Sequence, residues 1–400
     1  MIRIFSLLWL LSLILLAGCW DQNELEEVAL VMGMGIDKTE DDLYHVSFQV
    51  VNPGQVTGGE MTKGGEGTAV TTYSEKGKTL FETVRKISKK VPRNLSFSHM
   101  VVLIISEDLV KEQGLLEVMD FTERYYGFRS TALVLLARDG KAEPILSILN
   151  PLERIPAMKI QETLIQTAEV WGENPEQNIN DVIRTLSNKS KGGSLNGITL
   201  VGNKEEGQKT SKNQQAVPTT FVEINGVALL KDGKLESWMD DKEARGVSWV
   251  QNEIQKTVVT AQCEKNEQEM AVEVRQSNTK LKATMSQGKP EITLNIRAEG
   301  PLEEVACPID LTKPEVIFDL NNKFASAIKQ EVTKSIKLAQ EQKNDVFGFG
   351  DAVNRSHPKE WKKIEGEWPD TFADMNVQVN VEFFIRGTGL RTKPLILDKK

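Results

Sequence analysis

The cysteines of this 400-residue chain are its clearest candidates for covalent chemistry. Cys19 directly follows Leu16-Ala17-Gly18, at the end of an apolar run from Ile4 to Leu16 that is preceded by Arg3. This run is shorter than the roughly 20 apolar residues that a transmembrane helix needs, and its small final residues are typical of a signal peptidase site. We therefore expect residues 1–18 to be a signal peptide that is removed.

The order Leu-Ala-Gly-Cys at residues 16–19 resembles the bacterial lipobox. This resemblance implies that the Cys19 thiol is alkylated by a diacylglycerol before cleavage, so that Cys19 becomes the lipidated first residue of the mature chain. A two-chain lipid anchors a protein durably, whereas a single chain anchors it only marginally. The alternative is a short N-terminal anchor with an incidental cysteine, and it agrees less well with the residue order.

The other two cysteines, Cys263 and Cys307, have no recognisable motif spacing. They could form a disulfide in an extracytoplasmic protein, or each could be a small buried side chain. The sequence leaves both alternatives open.

The remaining reactive residues show no pattern of a catalytic, cofactor-binding or metal site. His45, His99 and His357 are far apart and match no metal-ligand spacing, and a G-x-S-x-G nucleophile motif is absent. The glycines of residues 52–67 are not placed as in the phosphate-binding motif G-x-x-x-x-G-K-[ST]. Phe347-Gly348-Phe349-Gly350-Asp351 has Val353 in place of the third glycine of a dinucleotide fingerprint, so glycine caps after a helix explain it better.

The composition is that of a folded globular protein, with 40% hydrophobic and 26% charged residues. Its length predicts two or three domains. The chain has 49 Lys and Arg against 57 Asp and Glu, a net charge of −8, and the basic residues are dispersed along it. Because nucleic-acid binding depends mainly on concentrated positive charge, a nucleic-acid partner is not expected.

Residues 19–143 are predicted to form an N-terminal α/β domain. A capping box, Thr79 to Glu82, marks the start of one helix, and a second is expected from about Glu107 to Tyr126. The predicted strands are Val28–Ile36, Leu43–Val51, Met100–Ser106 and Ala132–Ala137. This alternation favours a sheet covered by helices.

Residues 144–250 are predicted to form a middle domain with two helices, interrupted by Pro151 and Pro156. Residues 187–217 are polar around a short apolar island, which indicates an exposed hairpin or linker. The Asp-Gly pair at 232–233 predicts a hairpin between Phe221–Leu230 and Leu235–Trp238.

Residues 251–393 are predicted to form a C-terminal α/β domain with several strands and a long helix at about residues 314–343. Phe324, Ile328, Val332 and Ile336 recur at helical spacing in that helix. A final strand alternates apolar and polar residues from Val377 to Ile385, so one face of it is expected to be buried.

Motifs along the whole chain together resemble the Ger(x)C spore germination lipoproteins, the C subunits of nutrient germinant receptors of endospore-forming bacteria. They are GCWDQNELEEVALVMGMGID, EKGKTLFETVRKISKKVPRNLSFSHMVVLIISEDLVKEQGL, GVALLKDGKLESWM and NDVFGFGDAVNRSHPKEWKKIEGEWPDTFADMNVQVNVEFFIRGTG. The resemblance implies a mixed α/β fold of three domains, each a mostly antiparallel or mixed β-sheet with packed helices.

The same resemblance implies a protein that is not an enzyme and has no cofactor. It would act with the A and B membrane subunits at the outer face of the spore inner membrane, anchored through diacylglycerol on Cys19, in a receptor where nutrient triggers the release of ions and dipicolinate. Whether this subunit binds nutrient directly is left open. A solute-binding lipoprotein of a transport system is the alternative function.

The resemblance assigns an individual role to Cys19 alone. A partner-contact role for the loop from Asp345 to Asp351 and for Trp361 and Trp368 is one hypothesis. We favour instead an interpretation in which Trp361, Trp368 and Phe372 close the core of the last domain, because aromatic side chains dominate core burial.

Overall fold

The computed structural model describes residues 27–56, 67–125, 127–188, 190–211, 216–263, 269–307 and 309–389. Cys19 and the predicted signal peptide lie outside these residues. Helices and strands are interspersed along the described chain and confirm the mixed α/β class. One large sheet ends with Met239, and two small sheets follow it.

The large sheet has nine strands in the described residues. They are β1 Val28–Lys38, β2 Tyr44–Val51, β3 Val70–Gly77, β4 Asn94–Ser96, β5 Val102–Ser106, β6 Leu133–Ala137, β7 Gly193–Val201, β8 Phe221–Lys231 and β9 Lys234–Met239. Their order is β3-β2-β1-β5-β6-β7-β8-β9, with β4 beside the start of β1. The central strands β1, β5, β6 and β7 are parallel, and antiparallel pairs form both edges.

Helices cover both faces of this sheet. They are α1 Pro53–Val56, α2 Leu80–Lys86, α3 Glu107–Glu112, α4 Leu116–Arg124, α5 Ala142–Leu146, α6 Pro156–Val170, α7 Ile179–Leu186 and α8 Lys204–Gly207. Residues of α2, α3, α4 and α7 share one core with Leu103 and Ile105 of β5, whereas α5 and α6 share the opposite core with Val102 and Ile104. Covering on both faces explains why β5 and β6 are apolar at nearly every position.

Two glycines of β1 let the helices of one face approach the sheet closely. A Cβ added at Gly33 would lie 2.7 Å from a methyl carbon of Leu146, and one at Gly35 would lie 3.2 Å from the Cβ of Ala142. The Gly-Met-Gly sequence of β1 therefore provides the space in which α5 packs.

The C-terminal part consists of two three-stranded sheets and five helices among the described residues. The strands are β10 Thr257–Gln262, β11 Glu269–Val274, β12 Gln276–Ser286, β13 Lys289–Gly300, β14 Leu302–Val305 and β15 Asn376–Ile385. The helices are α9 Asp241–Gln251, α10 Pro314–Glu341, α11 Phe349–Ser356, α12 Pro358–Ile364 and α13 Trp368–Ala373. The sheet orders are β10-β11-β14 and β12-β13-β15, and the apolar stripe of α10 packs into a core with both.

Several predicted elements are present. The long helix expected at about residues 314–343 is α10, and the Asp-Gly hairpin joins β8 to β9 through Asp232 and Gly233, both with positive φ (52° and 78°). The Thr79 hydroxyl accepts the Glu82 backbone N–H at 3.1 Å, while the Glu82 carboxylate accepts the N–H of Lys78 instead of that of Thr79.

The expectation of a separate sheet in each of three domains is wrong for the first two. β6, from the predicted N-terminal domain, pairs in parallel with β7, from the predicted middle domain, with Leu135 opposite Asn196. A parallel pair needs a crossover, and α5, α6 and α7 in the β6–β7 connection provide it. The predicted boundary at 143/144 therefore lies within a crossover of one sheet.

The boundary predicted at 250/251 coincides with the end of α9, which packs against the C-terminal part. A Cβ at Gly246 of α9 would lie 2.4 Å from the Cβ of Ser335 of α10, so the two helices approach closely. Val247 and Trp249 share their core with the α10 stripe. In the structure, α9 thus belongs with the residues that follow it.

Two local predictions are also wrong. Residues 187–217 contain β7, whose first six residues are buried in the large sheet, and not an exposed hairpin. The helix expected from about residue 107 to 126 is divided into α3 and α4 at Gly114, whose φ of 85° ends the first helix.

Candidate functional site

The loop between α10 and α11 contains a carboxyl group that resembles a catalytic residue by its environment. Asp345 is 3% exposed, and its carboxylate accepts the N–H groups of Phe349 at 3.0 Å, Gly350 at 2.7 Å and the Trp368 indole at 3.1 Å. Burial raises the pKa of Asp345 to about 7, although these N–H donors favour the charged form. Because its hydrogen bonds all fix the loop and Trp368, Asp345 acts as a structural residue.

This loop also docks the C-terminal part onto the large sheet. The N–H of Gly192 donates to the Asp345 carbonyl at 2.8 Å, and the Asn344 amide donates to the Leu230 carbonyl at 2.9 Å. A Cβ at Gly192 would lie 1.8 Å from Asn344 Oδ1, so only glycine fits there. Asp351 accepts the Asn188 amide at 3.0 Å and the Ser190 hydroxyl.

The aromatic residues that follow the loop lie in the protein core. Trp361, Trp368 and Phe372 are at most 4% exposed, and the two indole rings meet edge to face at 5.0 Å. The core interpretation is confirmed. The loop and Trp368 contact each other within this chain, through the hydrogen bond from the indole to Asp345.

A buried ion pair joins α9 to α10 and was not predicted. Arg245 Nη2 lies 2.6 Å from Glu331 Oε1, both residues are 4% exposed, and Glu331 also accepts the Trp249 indole N–H at 3.2 Å. The Arg245 guanidinium lies over the Trp171 ring at 5.1 Å. Glu331 lies next to the apolar stripe of α10, but nothing in the sequence pairs it with a residue 86 positions away.

A cleft of about 690 Å³ lies beside Trp171, between α6 and β8. Trp171 and Val170 are about half exposed there, and the carboxylates of Glu162, Glu223 and Asp241 line its rim. Burial raises the pKa of Glu173 at its wall, where the Trp171 indole donates to that carboxylate at 2.9 Å. The cleft has the chemistry to accept a small molecule with an apolar body and a positive group.

The histidines remain separate. His45 lies 3.5 Å from Glu143, a contact that lowers the Glu143 pKa to about 2, and His99 Nδ1 is 3.0 Å from the Ser98 hydroxyl. His357 precedes α12. Within the described residues, His, Cys, Asp and Glu side chains form no group of three that could hold a metal ion.

The two cysteines whose pairing was left open form a disulfide. Cys263 and Cys307 have Cα atoms 6.0 Å apart, and they join the segment after β10 to the segment after β14. Among residues with a described structure, no helix has both the length and the apolarity to cross a membrane. Cys19, the predicted lipidation site, lies outside those residues and stays a prediction.

Comparisons with known proteins match both parts of the chain. Residues 21–200 match the family model for the spore germination protein N-terminal domain, and residues 225–389 match the one for spore germination B3/GerAC like, C-terminal. Spore germination protein KC of Bacillus subtilis (strain 168) is 34% identical over 395 residues, which cover 98% of this chain and 97% of that protein. The chain belongs to the Ger(x)C family of spore germination proteins.

Further comparisons agree with this Ger(x)C assignment, and the resemblance inferred from the motifs is confirmed. Spore germination protein B3 of the same organism is 27% identical over 389 residues, 96% of this chain and 97% of that protein. The crystal structure of the GerBC protein has a TM-score of 0.54 at 20% identity and covers 88% of this chain and 97% of that chain. That likeness shows a shared fold.

Proposed function

We propose that this protein is a lipid-anchored, non-catalytic subunit of a spore nutrient germinant receptor. It acts with the A and B membrane subunits at the outer face of the spore inner membrane, and diacylglycerol on Cys19 attaches it there. The observation that supports this most strongly is the 34% identity, over almost the full length of both chains, to a protein named for spore germination.

Two features of the chain agree with the proposal. Leu16-Ala17-Gly18-Cys19 has the order of a lipidation signal. The most perturbed carboxyl group described above, Asp345, uses its oxygens to fix a loop, and this favours a subunit that works by binding and assembly.

The experiment is to follow the optical density of purified spores after addition of amino acids, sugars or nucleosides. Three strains that lack other receptors of this family are compared: the parent, a deletion of this gene, and Cys19→Ala. We expect the deletion to abolish the response to one nutrient class and Cys19→Ala to weaken it, without an effect on vegetative growth. A full response in the deletion strain would contradict the proposal.

Ser12→Ala is the matched control, because it changes the expected signal peptide but leaves the Leu-Ala-Gly-Cys order intact. It should germinate like the parent. Mass analysis of the membrane-extracted N-terminal peptide tests the anchor directly: an unmodified Cys19 still joined to Gly18 would contradict lipidation.

The cleft beside Trp171 favours a second candidate function, a solute-binding lipoprotein of a transport system. Calorimetry of the mature chain with amino acids and sugars separates the two functions. Submillimolar binding that Trp171→Ala abolishes would support the solute-binding function, provided that spore germination is unchanged in the deletion strain.

A further inference from the structure

One surface of the large-sheet region concentrates positive charge in an otherwise acidic chain. Residues 76–93 contain seven Lys or Arg and a single Glu, whereas the whole chain has a net charge of −8. The expectation that basic residues are dispersed is therefore wrong for this segment. We define the basic face by the side chains of Lys76, Lys78, Arg85, Lys89 and Arg93.

The local structure turns these side chains outward. Leu80, Val84 and Ile87 of α2 and the following turn are buried against the sheet, so the opposite side of the helix faces solvent. All five members of the basic face are exposed. Nearby carboxylates engage other lysines, since Glu82 pairs with Lys86 at 2.6 Å and Glu75 with Lys90 at 3.1 Å.

Lys76, Lys78, Lys89 and Arg93 thus have no carboxylate partner among the residues that the structure describes. The neighbouring helix α4 has three acidic side chains. Asp120 pairs with Arg124 at 2.7 Å, Glu117 accepts the Tyr44 hydroxyl at 2.6 Å, and the charge of Glu123 also acts on Arg124. The basic face is free to meet an external anionic surface.

An exposed aromatic ring lies within the basic face. Phe81 is 48% exposed on α2, and the Arg85 guanidinium stacks over its ring at 5.0 Å. Aromatic rings beside basic residues suit the boundary between lipid headgroups and acyl chains, where one part of the contact is apolar and the other charged.

The N-terminal end of the described chain emerges next to this face. Val28, the first residue of β1, pairs with Asn94, which directly follows Arg93. Val28 comes nine positions after Cys19, and a segment of that length reaches at most about 30 Å. A lipid on Cys19 would therefore keep the Arg93 end of the basic face near the membrane, whereas Lys76 lies level with Asp37, near the other end of β1.

We propose that the basic face is a membrane-docking surface that binds the headgroups of anionic lipids and orients the protein on the bilayer. This surface is a second attachment besides the lipid on Cys19. The inference rests on the proposed function, which places the protein at a membrane. Clustered Lys and Arg beside an anionic bilayer contribute additively, whereas a single lipid anchor leaves the orientation of the protein undetermined.

The test is co-sedimentation of the mature chain, residues 19–400 with Cys19→Ser, with vesicles. Vesicles of phosphatidylglycerol and phosphatidylcholine are compared with vesicles of phosphatidylcholine alone. We expect binding to the anionic vesicles only, weakened by salt because screening reduces attraction between exposed charges and headgroups. The triple variant Lys78→Glu/Lys89→Glu/Arg93→Glu should bind on the order of 100-fold more weakly.

The matched control is Lys329→Glu/Lys334→Glu/Lys363→Glu, which makes the same charge change at exposed positions of α10 and α12. It should keep most of the anionic-vesicle binding, and urea unfolding should show that both triple variants remain folded. Phe81→Ala should weaken binding with no change in its salt dependence.

Equal losses in the two triple variants would overturn the proposal, because net charge and not the basic face would then explain binding. Absence of binding by the parent chain would overturn it as well and leave the basic face as a contact for nucleic acid or an acidic protein. Since the chain tested has no lipid, this result is independent of the spore assay and of Cys19 lipidation.

Discussion

At the scale of single residues, Asp345 combines complete burial with hydrogen bonds to both oxygens. Its pKa is raised from 3.8 to about 7 in the folded state, chiefly by burial. Between these values the folded protein retains a proton that the unfolded chain has released, so a rise in pH favours unfolding. The contribution of Asp345 to stability is thus present below about pH 4 and is lost as the pH approaches 7.

We predict that the stability advantage of the parent over Asp345→Asn shrinks as the pH rises from 5 to 8. Urea unfolding of both proteins at four pH values in this range measures it. Asp232→Asn is the control, because this carboxyl lies in the exposed hairpin turn and the positive φ of 52° accommodates asparagine. If the stability difference between the parent and Asp345→Asn stayed constant or grew as the pH rises, the raised pKa of Asp345 would be contradicted.

Residue types predicted part of this region. Large aromatic side chains in a C-terminal motif indicated a core, and Trp361, Trp368 and Phe372 form one. The Arg245–Glu331 pair could not be predicted from the sequence. A buried charge is tolerated only when an opposite charge lies next to it in space, and here the two charges lie on different helices. The Gly192–Asn344 contact was missed for the same reason.

At the scale of elements, the disulfide restrains the small sheet β10-β11-β14. Cys263 and Cys307 are 44 residues apart, so the bond removes much of the entropy of the unfolded segment between them. We predict that Cys263→Ser/Cys307→Ser lowers the free energy of unfolding by roughly 2–4 kcal/mol. Urea unfolding with and without dithiothreitol measures this.

Reduction should destabilise the parent chain by a similar amount and leave the double serine variant unchanged. The parent chain and the double serine variant both carry Cys19→Ser, so that the free thiol of Cys19 cannot form a disulfide with Cys263 or Cys307. Two results together would show that Cys263 and Cys307 are not bonded. Dithiothreitol would leave the free energy of unfolding of the parent chain unchanged, and both cysteines of the folded protein would react with an alkylating reagent under non-reducing conditions.

Elements with strong local signals were predicted well. The helical spacing of apolar residues in α10 and the Asp-Gly turn between β8 and β9 depend on neighbouring residues only. β7 was mistaken for an exposed segment because its polar neighbours resemble a linker, while its burial depends on pairing with β6 and β8, far from it in sequence. Gly114 divides α3 from α4 through its backbone conformation, which the apolar periodicity conceals.

At the scale of the whole molecule, the described residues between Val28 and Met239 behave as one unit because a single sheet runs through them. The sequence suggested a division near residue 143, where helical segments with prolines follow a strand. In the structure, helix α6 returns to cover that sheet with Ala157, Ile160 and Leu164. Whether the chain divides near residue 143 depends on the order of the strands in the sheet. Local sequence patterns do not determine that order.

The continuous sheet leads to a prediction about fragments. Residues 20–143 alone would leave β6 as a fully apolar edge strand, still paired with β5 but open on its β7 side. They would also expose the sheet face that α6 covers, so this fragment should aggregate. Residues 20–240 retain all nine strands and should be more soluble and mainly monomeric. Sedimentation velocity and urea unfolding of both fragments provide the measurement. If residues 20–143 were monomeric and unfolded cooperatively, the N-terminal strands would form a domain of their own, and β7 to β9 would be an addition to a sheet that is already stable.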